Sequence, residues 1–180
     1  EVVANKLGKR LDEDNPVLHA QLPDGSRLAA VIPPVVRPSP AVTIRKFTSR
    51  KFTAEDLIAR GALTRSLADL LAEQIRSGKT LLISGGTGTG KTTLLNILAN
   101  AIPEHERVVV IEDTSELRIQ KPNVLAVECQ TDTFKSAVTF DDLLKSALRW
   151  RPDRIILGEV RGTEARTLLD SLNTGHAGSL

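Results

Sequence analysis

Gly85, Gly90, Lys91 and Thr92 fall at the spacing GxxxxGK[ST] inside the run Gly85-Gly86-Thr87-Gly88-Thr89-Gly90-Lys91-Thr92-Thr93. That combination of residue types suits one task, gripping a chain of phosphates. The glycines let the backbone turn tightly enough for successive N–H groups to converge on an anion. Lys91 would set an ammonium on the β- and γ-phosphates and Thr92 would offer its hydroxyl to Mg²⁺, while a helix starting here aims its positive end at the same charge. Leu81 to Ser84 before the loop reads as a strand, and Leu94, Leu95, Leu98 and Ile102 after it read as a helix facing a core and closed by Pro103. This strand, loop and helix context is what the motif requires.

The elements downstream repeat the alternation. Val108-Val109-Val110-Ile111 is a continuous apolar run of the kind found in strands buried on both faces, and it leads into Glu112-Asp113-Thr114-Ser115-Glu116. Val124 to Val127 is a further short strand. Thr139-Phe140-Asp141-Asp142 has the form of a capping box before a helix that carries Leu143, Leu144, Ala147 and Leu148. Arg154-Ile155-Ile156-Leu157 is another buried strand ending at Gly158-Glu159, and Thr163 caps a helix with Leu168, Leu169 and Leu172. The pattern predicts an α/β fold with a mostly parallel sheet and the ligand at the carboxyl ends of its strands. Glu159 then stands where a phosphate-loop protein keeps the acid that holds Mg²⁺ or its waters. Any one of Glu112, Asp113 and Glu116 would be placed to reach the water opposite the γ-phosphate.

Residues 1 to 47 read as strands and turns. Val17 to Leu22 and Arg27 to Ile32 flank the turn signal Pro23-Asp24-Gly25-Ser26, and Val42 to Phe47 alternates as a third strand. Three short strands bury little surface, so this is expected to be the C-terminal part of a small α+β domain. The polar, basic residues 48 to 53 make a linker, with a core at 54 to 180 opened by two helices, Ala54 to Arg60 and a second with its apolar stripe at Leu63, Leu67, Leu70, Leu71 and Ile75.

Composition excludes other classes. With 41% hydrophobic and 26% charged residues the chain is neither disordered nor membrane-spanning, and it has no apolar run long enough for a transmembrane helix. A cytoplasmic address is the default expectation. A net charge of +2 and 3% aromatic residues give no footing for direct nucleic-acid binding. The single Cys129 has no internal disulfide partner, and reads as a small half-buried strand residue. The chain opens on Glu1 and contains no Met, so it is expected to be a piece of a longer protein.

Taken in order, GGTGTGKTT, VVVIEDTSEL, RPDRIILGEVRG and LNTGHAGSL resemble the traffic ATPases of bacterial type II and type IV secretion. The resemblance is strongest to the conjugal-transfer, TrbB-like and type IV secretion branch, with the tight-adherence pilus ATPases close by. It implies a RecA-like core and Mg²⁺-dependent ATP hydrolysis by a homo-oligomer, a hexameric ring peripheral to the inner membrane that serves secretion or pilus machinery proteins. IEDTSEL matches the family's aspartate box, which makes Glu116 the general base and Asp113 a support for metal or water. GEV matches its atypical acid motif, with Glu159 on the Mg²⁺ side and Gly158 where an Asp is usual. TGHAGSL matches the start of the histidine box, which makes His176 a γ-phosphate sensor and implies a second histidine further on. Arg27 and Arg45 match arginines that the family's N-terminal domain contributes, and guanidinium groups suit charge on a transferring phosphoryl. A nucleotide-binding module that regulates assembly without useful turnover is the rival reading.

Overall fold

The computed structural model describes residues 2–46, 52–129, 137–160, 162, 164–173 and 178–180. The chain divides into two compact units, Glu1–Arg50 and Lys51–Leu180.

In the first unit, the turn at Pro23 to Gly25 joins β1 (Val17–Gln21) to β2 (Arg27–Val31), and Asp24 fixes it by accepting from the backbone N–H and hydroxyl of Ser26, each at 2.9 Å. β3 (Ala41–Arg45) completes an antiparallel sheet in the order β1-β2-β3. A helix, α1 (Val2–Lys6), stands where strands and turns alone were expected; its Ala4 joins Leu18, Leu28 and Ala30 in a small core. Val-Val-Ala-Asn-Lys is too short and β-branched to announce a helix, so tertiary contact at Ala4 decides the matter.

The second unit starts with α2 (Ala54–Ala59) and α3 (Arg65–Arg76). Thr53 caps α2 reciprocally with Asp56. On α3 the stripe is narrower than its spacing suggests: Ala68 and Ile75 are buried, but Leu67 and Leu70 are 43% and 54% exposed. Lys91–Ala99 forms α4. The parallel sheet has β4 (Val108–Glu112) at its centre, between β5 (Val124–Glu128) and β6 (Arg154–Leu157). Every residue of β4 and β6 is buried, as continuous apolar runs require.

Two cores flank the sheet. On one side Val108, Val110 and Ile156 pack with Ile75, Leu95, Leu98, Ala99 and Ile102. On the other, Val109, Ile111, Ile155 and Leu157 pack with Leu144 and Ala147 of α5 (Phe140–Ala147). Leu168 of α6 (Glu164–Asn173) rests on that second core, whereas Leu169 is 61% exposed. The expected cap Thr163 lies outside the described residues.

The segment 81–84 forms no strand. Residues 178–180 run beside β6, with Leu157 N–H donating to Leu180 O and Leu180 N–H to Ile155 O, and Leu81 N–H donates to Ser179 O at 3.0 Å. One such bond does not make a ladder, and Leu82 is 87% exposed. Buried Arg154 ties the amino end of β6 to its surroundings, forking onto the Glu106 carboxylate and reaching Gly178 O at 3.5 Å.

Thr139 and Asp142 form the expected capping box on α5, with Asp142 N–H donating to Thr139 Oγ1 at 3.2 Å and Thr139 N–H to the Asp142 carboxylate at 3.0 Å. Thr139→Ala is expected to lower Tm by about 2–4 °C in a thermal melt followed by circular dichroism. The Thr139 hydroxyl and backbone hold the Asp142 carboxyl below its ordinary value of 3.8. The box therefore contributes stability above pH 3.8 that is lost as pH falls through the depressed value, so the gap between wild type and variant should close in acid.

Candidate functional site

α4 begins at Gly90, whose φ of +94° is the left-handed conformation that favours glycine. No side chain caps this helix. Its first backbone N–H groups have no acceptor within the helix, the arrangement in which a helix terminus receives an anion. The loop before it is folded over its own carbonyl: Lys91 Nζ donates to Gly86 O at 2.7 Å and Thr89 Oγ1 to the same oxygen at 2.8 Å. The ammonium of Lys91 is thus held at the loop by a neutral acceptor, which a phosphate oxygen would outcompete as a charged one. Residues 85–90 are exposed, and Lys91, Thr92 and Thr93 are half-buried.

The acids gather at the carboxyl ends of β4, β5 and β6. Glu112 pairs in register with Glu128, and Gly158 N–H donates to Ile111 O at 2.9 Å, so residue 158 abuts residue 112. Glu112 is only 4% exposed. Its Oε1 accepts from the backbone N–H of Glu116 at 2.8 Å and of Leu117 at 2.9 Å. Burial pushes this carboxyl above the ordinary carboxylate range; the two N–H donors pull it down, and the charges of Glu116 and Glu128 push it up again. Of the three acids the sequence offered, Glu112 therefore faces inward and is occupied with backbone, whereas Asp113 is exposed and Glu116 half-buried. Glu159, half-buried, follows the neighbouring strand β6 by two residues. Cys129 donates its backbone N–H to Glu112 O, and burial together with the carboxylates of Asp113, Glu128 and Glu164 pushes its thiol up.

The glycine at 158 now has a physical reason. A Cβ there would lie 2.9 Å from Glu112 Cγ and 3.5 Å from its Cβ, so the Glu112 side chain fills the space that a residue larger than glycine would need. Gly158→Ala is expected to cost about 1–3 kcal/mol by overpacking, read as a lower urea midpoint at unchanged slope. Stability equal to wild type would show that Glu112 moves aside freely.

Two expected residues meet in the first unit: Arg27 and Arg45 are register partners on β2 and β3. His176 and Arg161 lie outside the described residues. Sequence reasoning offered Glu112 only as one of three acids for the attacking water, not as an acceptor of backbone N–H groups, and it missed Asn96 of α4, whose Oδ1 accepts from Arg118 N–H at 2.7 Å. The signal for the inward role of Glu112 was its place directly after the apolar run Val108 to Ile111; for Asn96 there was none.

A glycine-rich loop opening a helix, with acids at the carboxyl ends of adjacent parallel strands, is the arrangement of an α/β protein of the phosphate-loop class. Comparison with known proteins narrows this. Residues 3–180 match the family model described as type II/IV secretion system protein, and the chain belongs to that family. It is 43% identical over 188 residues to the uncharacterized protein MJ0781 of Methanocaldococcus jannaschii, covering 100% of this chain and 26% of the relative. It is 39% identical over 183 residues to the conjugal transfer protein TrbB of Rhizobium radiobacter, covering 99% of this chain and 54% of the relative. Among solved structures it resembles the VirB11 ATPase from the Brucella suis type IV secretion system in complex with sulphate, with a TM-score of 0.58 and 32% identity over 98% of this chain and 60% of that one. The chain thus spans between about a quarter and three fifths of these relatives' lengths.

Proposed function

We propose that the protein is an Mg²⁺-dependent ATPase that works as a homo-oligomeric, hexameric ring at the cytoplasmic face of the inner membrane and drives a type IV secretion, conjugal-transfer or pilus machine. The observation that carries the reading is the loop at 85–93 opening α4 without a side-chain cap, in a chain of this family. The likeness to a VirB11 ATPase solved with sulphate, a tetrahedral anion, supports it.

The residues present fit a triphosphate and its metal. Mg²⁺ commonly takes one or two carboxylates with phosphates and waters, not an all-protein cage, and a threonine hydroxyl beside the phosphate loop with acids beyond the strand ends offers oxygen donors of that type. Thr92, Glu159 and Asp113 would hold the ion or its waters. When bound, Mg²⁺ neutralises charge on the β- and γ-phosphate oxygens. The backbone N–H groups of Gly85 to Thr93 would cradle the phosphates, and Lys91 would leave the Gly86 carbonyl for the β- and γ-oxygens. Glu116 would take a proton from the attacking water. For Arg27 and Arg45, side by side in their own sheet, and for His176 we keep the assignments that the resemblance implies. The linker at 48–53 and the division into a small N-terminal domain and an ATPase core belong to the same proposal.

Steady-state phosphate release by the full-length protein tests it. Turnover is expected with MgATP and should vanish when EDTA removes the metal. Turnover that survives the chelator, or none above background with metal present, would refute it.

A further inference from the structure

Three consecutive backbone N–H groups beyond β4 are each donated to a side chain. Those of Glu116 and Leu117 go to Glu112 Oε1 at 2.8 and 2.9 Å, and that of Arg118 goes to Asn96 Oδ1 at 2.7 Å. The segment 115–120 has neither helix nor strand, so these side chains do the work that a ladder does elsewhere. Leu117, only 7% exposed, is sunk into the core beside Leu95 and Leu98 of α4. The backbone carrying Glu116 is thus bonded on one side to the end of β4 and on the other to α4. Asn96 lies five positions beyond Lys91 in that helix, which starts at the phosphate loop.

We propose that Asn96 and Glu112 are positioning residues: together they clamp the 116–118 backbone so that the Glu116 carboxylate is held at a set reach from the phosphate loop. This rests on the reading of Glu116 as the base. Asn96 supplies the coupling to the nucleotide side, because any shift of α4 at the phosphate loop is passed through its amide oxygen to the segment that carries the base. Glu112 supplies the fixed end, since its side chain is buried with its stem beside Gly158 and its carboxylate holds two backbone N–H groups. Misplacing a reacting group by about 1 Å costs on the order of 10²-fold in rate, so loosening one of two anchors should cost roughly tenfold.

The full-length protein is compared with Asn96→Ala, Asn96→Leu and Asn96→Asp, with Glu116→Gln in parallel. Asn96→Ala and Asn96→Leu lack the acceptor, the second at nearly constant volume; Asn96→Asp keeps it. The expected result is a kcat lower by about tenfold in the first two, an ATP KM within about twofold of wild type in all, and recovery in Asn96→Asp. Hydrogen exchange at the Arg118 amide should speed up in the first two alone. A merely structural role would raise KM with the fall in kcat, or leave Asn96→Asp as impaired as Asn96→Ala, and either overturns the clamp. So does a normal kcat in Asn96→Ala and Asn96→Leu beside a crippled Glu116→Gln, which leaves the base reading standing. Full activity in Glu116→Gln overturns the base reading itself, and the clamp falls with it.

Discussion

Lys91→Ala is expected to lower ATP turnover by the full-length protein by about 10²–10³-fold, the cost of removing one preorganised charge from a transferring phosphoryl group. The ammonium already sits at the loop, 2.7 Å from Gly86 O, so wild type spends little reorganising it when nucleotide arrives. Neither core depends on it: Lys91 is at the first position of α4, half-buried and outside both clusters that flank the sheet, and its hydrogen bond is to the loop alone. The melting temperature should therefore stay near that of wild type while phosphate release collapses. Lys91→Arg should not rescue, because a planar fork cannot replace a compact ammonium among converging backbone donors. Turnover at the wild-type rate in Lys91→Ala would end the reading of this loop as a catalytic phosphate site.

The loop was legible because its chemistry is local. Glycine positions, the lysine and the threonines are set by spacing along one short stretch, and Gly90 does take a backbone conformation that other residues avoid. The buried strands were equally plain, since Val108 to Ile111 and Ile155 to Leu157 can be continuous and apolar only if both faces are covered. What sequence could not show depended on partners distant in the chain. Leu81 to Ser84 has a strand's composition, but strand status needs a ladder, and its neighbour here gives one bond at Ser179. Leu67, Leu70 and Leu169 have the right spacing yet face outward, because periodicity says which residues share a helix face and not how wide the covering surface is.

The acids show the same limit at the site. Glu112, Asp113 and Glu116 are alike as residue types, and only the fold separates a buried carboxylate that binds backbone from two that reach solvent. Gly158, at a position where the resemblance makes an aspartate usual, is explained by the first of these: the side chain of Glu112 already occupies the space that a Cβ on residue 158 would need. The register of Arg27 with Arg45 was likewise invisible, being a property of strand pairing and not of either strand.

Glu116→Gln should reduce kcat by about 10²–10⁴-fold, the contribution of a well-placed general base, with nucleotide affinity preserved. The amide matches the carboxylate in shape and leaves the Glu116 N–H bond to Glu112 intact, so the 116–118 backbone should keep its path. The variant should bind MgATP, tested with a fluorescent analogue, and hold it uncleaved through many wild-type turnovers. This outcome also decides between the ATPase and a regulatory nucleotide-binding module. A module predicts tight binding and the same background hydrolysis in both proteins, since no side chain in it was placed to take a proton. A steep fall confined to kcat requires that the wild-type carboxylate act on the reacting water. An equal fall in affinity would instead mean that Glu116 holds nucleotide or metal, and the role of base would pass to Asp113 or Glu159.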